Sequence, residues 1–184
     1  MEKWKILEEN DVSPSKWFPT KQHKIALPNG TIIDDYFITT LNNVGMILPI
    51  TTKNEIVLVK QYKHGVNDIL IELPAGFQQR NKSIEESALA ELEEETGIKT
   101  SIEKLIPIGK IANAPTKSMH ITYGFLAREL VFNSEQNLDV TENIEIITRS
   151  PSATIEMIKS GEIWVGDTAA LIMKAYLMFP EIFR

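Results

Sequence analysis

Two rhythms alternate along this chain. Apolar, β-branched and aromatic residues recur in short runs at 31–40, 44–49, 55–61, 69–73, 101–111, 120–127 and 143–148. Such runs predict strands, with Leu27-Pro28-Asn29-Gly30 and Ser13-Pro14-Ser15 as turns. The first forty residues carry the weakest pattern. Helical spacing appears at 83–97, 152–159 and 168–178; the last is predicted to start after Asp167 as N-cap and to stop before Pro180. Strands mixed with three helices predict a layered α/β sandwich.

The run 83–97 is the most informative. Ser83 followed by Glu86 forms a capping box, and Gly97 is the expected C-terminal stop. Ile84, Ala88 and Leu92 fall on one apolar stripe, while Glu91, Glu94 and Glu95 are neighbours on another face. Like charges at this spacing repel, and acids in a last turn oppose the helix dipole, at about 0.3–1 kcal/mol each when exposed. A hard divalent cation such as Mg²⁺ or Mn²⁺ would relieve the conflict. A solvated acidic face is the ordinary alternative, but the helix follows an apolar strand, Ile69-Leu70-Ile71-Glu72-Leu73, that ends at Pro74-Ala75-Gly76 and leads into a polar loop.

Strand, loop and acidic helix together resemble the signature of the Nudix hydrolases: a glycine, a glutamate, then the run Arg-Glu-aliphatic-any-Glu-Glu-any-Gly-aliphatic. Gly76, Glu91, Leu92, Glu94, Glu95, Gly97 and Ile98 agree with it, whereas Lys82 stands in the place of the first glutamate and Ala90 in that of the arginine. Loss of both members of an ion pair leaves no charge unpartnered, so the double departure reads as a coupled replacement that spares the fold. Gln61-Tyr62-Lys63 and Glu72-Leu73-Pro74-Ala75-Gly76 are similar to the strand pair of the ADP-ribose pyrophosphatase branch, and Pro115 is similar to a proline beyond its signature, where Thr116 and His120 depart from the branch pattern.

The resemblance implies a Nudix-type α/β/α sandwich with a mixed sheet, one domain over 1–184, and a small N-terminal β-sheet over 1–42 that helps build a homodimer. It implies Glu91, Glu94 and Glu95 as metal-binding and catalytic groups, with the Ala75 carbonyl completing the shell around Mg²⁺ or Mn²⁺. The expected reaction is hydrolysis of the pyrophosphate of ADP-ribose or a related nucleoside diphosphate sugar. GDP-mannose or a dinucleotide as substrate, and a nucleotide-binding module without turnover, are the alternatives. Glu142 is the candidate general base, with Glu145 as runner-up. Lys63, Glu72, Arg80, Pro115 and Lys117 are expected at the substrate. Trp17 and Tyr36 are read either as stacking on the base or as core or dimer contacts.

Composition narrows the chemistry. With 184 residues and 43% hydrophobic content the chain can bury a core of its own, and the absence of cysteine removes disulfides, zinc-thiolate sites and thiol nucleophiles. Three scattered histidines lack metal-ligand spacing. A net charge of -6 gives no global field for nucleic acid, yet Lys63, Arg80, Lys82, Lys110 and Lys117 are local cations for a small anionic substrate. No membrane partner is expected, because no run spans a bilayer, and the N-terminus lacks the apolar core of a secretory signal, so a cytoplasmic location is the default.

Overall fold

A computed structural model describes residues 1–184, which divide into two compact units. The first comprises Met1–Asn42 with Ala112–Ile121. Strands β1 (Lys5–Asp11), β2 (Thr20–Ala26) and β3 (Ile32–Thr39) form an antiparallel sheet in that order. Neither β1 nor β2 carries an apolar alternation in the sequence: β1 is exposed along its whole length, and of the two alternate positions buried on β2, His23 and Ile25, only one is apolar. The segment 112–121 joins this unit because the Thr39 N–H donates to the Lys117 carbonyl and the Met119 N–H to the Thr39 carbonyl.

The second unit, Asn43–Ile111 with Thr122–Arg184, is built on a seven-stranded sheet. Its strands are β4 (Val44–Thr51), β5 (Ile56–Lys63), β6 (Asp68–Glu72), β7 (Ala75–Phe77), β8 (Ile106–Ile111), β9 (Thr122–Leu130) and β10 (Ile144–Arg149). The main path runs β10-β5-β4-β9-β8, with β6 paired to β5 and β7 to β4. The β4–β9 pair is parallel and the others antiparallel. The predicted strand at 101–111 is shorter than expected, because Ile102–Lys104 turns as a 3-10 helix before β8 begins.

Alternation along the central strands makes the two cores. Ile47, Val57, Phe125 and Ala127 face helix α1 (Ile84–Thr96) and pack with Ala88 and Leu92. Met46, Leu48, Ile56, Leu58 and Leu126 point the other way, toward α2 (Pro151–Ser160) and α3 (Gly166–Met178), and pack with Met157, Leu171, Ile172 and Ala175. Each fully buried aliphatic side chain of this kind stabilises the fold by about 1.5–3 kcal/mol. This is the expected α/β/α sandwich. No helix is long and apolar enough to cross a membrane.

One predicted boundary is corrected. Val165, not Asp167, is the N-cap of α3, and Asp167 lies inside the first turn. Its carboxylate is engaged elsewhere, accepting from Thr122 Oγ1 at 3.1 Å.

Candidate active site

Local sequence fixes α1. The Ser83 hydroxyl accepts from the Glu86 N–H at 3.1 Å, and Glu86 Oε2 accepts from the Ser83 N–H at 2.7 Å, so the capping box closes from both sides. Gly97 ends the helix at φ 69°, a left-handed conformation that costs glycine little. Gly45 on β4 seats the helix tightly: a Cβ there would lie 2.8 Å from both Ala88 Cβ and the Ile84 carbonyl oxygen. The apolar stripe therefore meets the sheet directly, and the pitch of the helix carries Glu91, Glu94 and Glu95 to its flank.

That flank meets β7. The Pro74 carbonyl accepts from the Ile47 N–H and the Gln78 N–H donates to the Asn43 carbonyl, so by antiparallel alternation the peptide groups of Ala75 turn away from β4. The Ala75 N–H donates to Glu95 Oε2 at 3.0 Å. One residue on, Gly76 leaves the space that the Glu91 carboxylate occupies, since a Cβ at this position would overlap all three of its terminal atoms.

Both carboxylates are held away from easy ionisation. Burial raises Glu95, only 3% exposed, to a pKa of about 8; the Ala75 N–H and the Lys63 ammonium act against the rise, and the charges of Glu91 and Glu142 add to it. Burial also raises Glu91 to about 7, supported by repulsion from Glu94, Glu142 and Asp139 and opposed by a hydrogen bond from the Gln79 side chain.

Glu142 and Asp139 come from the loop before β10. The Glu142 N–H donates to the Asp139 carbonyl at 2.9 Å, and Glu142 Oε2 accepts the Asp139 N–H at 3.0 Å, a compact turn that brings both acids within electrostatic reach of Glu91. On the same face of the sheet, Glu72 accepts from Gln61 Nε2 at 3.3 Å and pairs with Lys63 Nζ at 3.2 Å. Burial raises Glu72 against the pull of that lysine.

The structure thus brings Glu91, Glu94, Glu95, Glu142, Lys63, Glu72 and Ala75 into one neighbourhood. Arg80 is exposed in the loop after β7, as is Lys82. Glu145 is exposed on β10, paired with Lys60 at 3.6 Å. In the first unit, the Tyr36 hydroxyl donates to the Thr116 carbonyl at 2.7 Å, its ring packs edge-on against Trp4, and Lys117 Nζ lies 5.2 Å from its centroid. Trp17 is 79% exposed with Lys16 over its ring, and Pro115 is exposed. Gln79 and Asp139 carry no sequence signal of their own, since no spacing rule marks a loop residue whose partner is set by tertiary contact.

No group of three or more Asp, Glu or His side chains converges as a ready-made cage for an ion. The donor set still fits a hard divalent cation. Such ions keep water and substrate phosphate oxygens in their shells and need only one or two carboxylates, and the oxygens of Glu91 and Glu95 with the backbone of Ala75 are of that kind.

Comparison with known proteins agrees with this geometry. Residues 39–149 match the NUDIX domain, and residues 4–39 match the nucleoside diphosphate sugar hydrolase N-terminal domain. An ADP-ribose pyrophosphatase of Bacillus subtilis (strain 168) is 30% identical over 183 residues, covering 96% of each chain. A methanol dehydrogenase activator of Bacillus methanolicus is 27% identical over 188 residues, covering 98% of each. A solved ADP compounds hydrolase shares the fold with a TM-score of 0.84 at 19% identity, covering 98% of this chain and 96% of its own. Nudix hydrolases generally use divalent metal ions. With the signature helix, its glycine and its buried carboxylates arranged as above, the chain belongs to the Nudix family and is a Nudix pyrophosphohydrolase related to the ADP-ribose pyrophosphatases.

Proposed function

We propose that this protein hydrolyses the pyrophosphate bond of ADP-ribose or a related nucleoside diphosphate sugar with Mg²⁺ or Mn²⁺, releasing a nucleoside monophosphate and a phosphosugar. The observation that carries the reading is the pair of raised carboxylates, Glu95 bonded to the Ala75 N–H and Glu91 seated over Gly76. Support for the substrate class comes from the full-length similarity to an ADP-ribose pyrophosphatase and from the match of 4–39 to the N-terminal domain of nucleoside diphosphate sugar hydrolases.

Glu91 and Glu95 would hold the ion with the Ala75 carbonyl, and Glu94 would take a second ion or orient water. When bound, a divalent ion polarises phosphoryl oxygens and lowers the pKa of water. Glu142 then takes the proton of the attacking water as the P–O bond to the bridging oxygen breaks; its place in a loop that reaches Glu91 and Glu95 suits that work. Lys63, paired with Glu72 at the end of β5, offers charge to phosphate oxygens. Arg80, in the loop after β7, offers charge to the outer phosphate or sugar; within the first unit, Tyr36, Trp17, Pro115 and Lys117 supply the aromatic faces and the cation suited to a nucleotide. The first unit would join two copies in a homodimer, because β1 is an edge strand and Trp4, Ile6, Phe18, Ile32 and Phe37 are exposed. Such an enzyme would work in the cytoplasm.

The test is product release from ADP-ribose, GDP-mannose and a dinucleotide, each with Mg²⁺, with Mn²⁺ and with a chelator. Metal-dependent release of AMP and phosphosugar, highest for ADP-ribose, is expected. Folded protein that binds nucleotide but turns over none of them would overturn the reading.

A further inference from the structure

The chain changes partner strand between β6 and β7. Glu72 ends the pairing with β5 opposite Val59, and Ala75 opens the pairing with β4 opposite Met46, so Leu73 and Pro74 cross between two neighbours outside either ladder. Proline has no N–H, which leaves Leu73 as the residue of the crossover with a donor to satisfy. Leu73 is buried, and its N–H donates to Thr168 Oγ1 at 3.1 Å. The Ile47 N–H then donates to the Pro74 carbonyl at 3.1 Å, and the Ala75 N–H to Glu95 Oε2 at 3.0 Å. Three successive residues are thus held by three different elements: α3, β4 and α1.

Thr168 reaches the crossover from the layer opposite α1. It is fully buried in the first turn of α3, and its place there is set without the crossover. Asp167 Oδ1 accepts from the Thr168 N–H at 2.9 Å, and Asp167 Oδ2 accepts from Thr122 Oγ1 at 3.1 Å, which ties that turn to β9. The Ala75 methyl group packs against the core on the same side of the sheet. Movement of Leu73 away from Thr168 would strand a buried N–H, and because the proline ring fixes φ at Pro74, the Ala75 peptide would turn with it.

We propose that Thr168 is a positioning residue for the metal site, its hydroxyl holding the crossover in the geometry that joins Ala75 to Glu95. The proposal rests on the reading of Ala75 and Glu95 as metal-binding groups. Loss of a bond that orients a metal ligand typically weakens affinity about 10–100-fold, and action through the intervening Pro74 puts Thr168 at the lower end.

The experiment titrates Mn²⁺ into metal-free wild-type, Thr168→Val and Thr168→Ser proteins, following free Mn²⁺ by electron paramagnetic resonance and apo stability by thermal melting. Valine keeps the shape and removes the acceptor; serine keeps the acceptor and loses a methyl group. Both variants should melt below the wild type, whereas the Kd for Mn²⁺ should rise about 10-fold in Thr168→Val and stay within about twofold in Thr168→Ser. A second measurement uses the wild type alone. By reciprocity of coupling, saturating Mg²⁺ should slow hydrogen exchange of the Leu73 amide about 10-fold beyond any slowing of amides in α2, and this decides the matter where Thr168→Val does not fold. Wild-type affinity in folded Thr168→Val, equal losses in the two variants, or exchange at Leu73 indifferent to Mg²⁺ overturns the proposal and leaves the proposed function standing. Wild-type protein that binds no metal overturns both. Wild-type protein that binds metal but hydrolyses no substrate overturns the function alone, and the contrast between valine and serine would then still support Thr168.

Discussion

The Ala75 N–H and the Glu95 carboxylate meet at 3.0 Å, which joins the short strand β7 to the last turn of α1 through a buried acid. The bond gives Glu95 a fixed orientation without a counter-charge, since a backbone amide stabilises the carboxylate only in part. Burial therefore wins and the group stays protonated up to a pKa of about 8.

That balance predicts a pH dependence for the metal-free protein. Glu91 and Glu95 carry folded-state pKa values of about 7 and about 8 against an ordinary 4.5. The folded state then holds more protons than the unfolded state between these values, so stability falls as pH rises from about 4.5 to about 8. In chelator the melting temperature should be lower at pH 8.5 than at pH 6, by on the order of 5 °C, and Mg²⁺ should close the gap at pH 8.5. Melting scans at both pH values, with and without metal, check this; a flat apo profile would contradict it.

Gly76→Ala places a methyl group where the Glu91 carboxylate lies. Because the clash falls on the end of a flexible side chain, the loss of stability should be small, within about 1 kcal/mol, while displacement of a ligand oxygen by an ångström or so should lower kcat about 100-fold. Parallel melting and kinetic assays separate the two effects.

Much of this site could be read from the chain because it is local. The capping box of Ser83 and Glu86, the stripe of Ala88 and Leu92, and the stop at Gly97 all belong to one helix and its caps, so periodicity alone places the glutamates on one face. The approach of Gln79 and Asp139 to Glu91 depends on how two loops close and leaves no periodic trace. Asp167 has the right chemistry for an N-cap, but its bond to Thr122 and a helix start at Gly166 follow from packing against β9. Strand β1 is hard to read for a related reason: an exposed strand lacks the alternation that a buried face imposes, and on β2 the buried alternate positions are His23 and Ile25, of which only one is apolar.

The two loop-side acids should separate kinetically. Glu142→Gln is expected to lower kcat about 10²–10⁴-fold, the usual weight of a general base, whereas Glu145→Gln, an exposed partner of Lys60, should change it less than about twofold. Steady-state rates at saturating metal distinguish them, and equal losses would reject the assignment of Glu142.

Removing Lys63 should act on both stability and binding. Lys63→Met leaves the half-buried Glu72 without its cation, at a cost of about 1–3 kcal/mol, and should raise KM for a pyrophosphate substrate more than it lowers kcat. Denaturant unfolding and Michaelis–Menten analysis of the same preparation test the two parts.

The most direct measurement compares AMP release from ADP-ribose by wild-type and Glu95→Gln proteins in Mn²⁺. Glutamine can still accept the Ala75 N–H and loses a charge that burial disfavours, so the variant should melt at or above the wild-type apo temperature. Metal-dependent turnover in the wild type with at least about a 1,000-fold loss in this folded variant is the predicted result. Undiminished turnover by Glu95→Gln, or release by the wild type that a chelator leaves untouched, would contradict the metal-dependent mechanism.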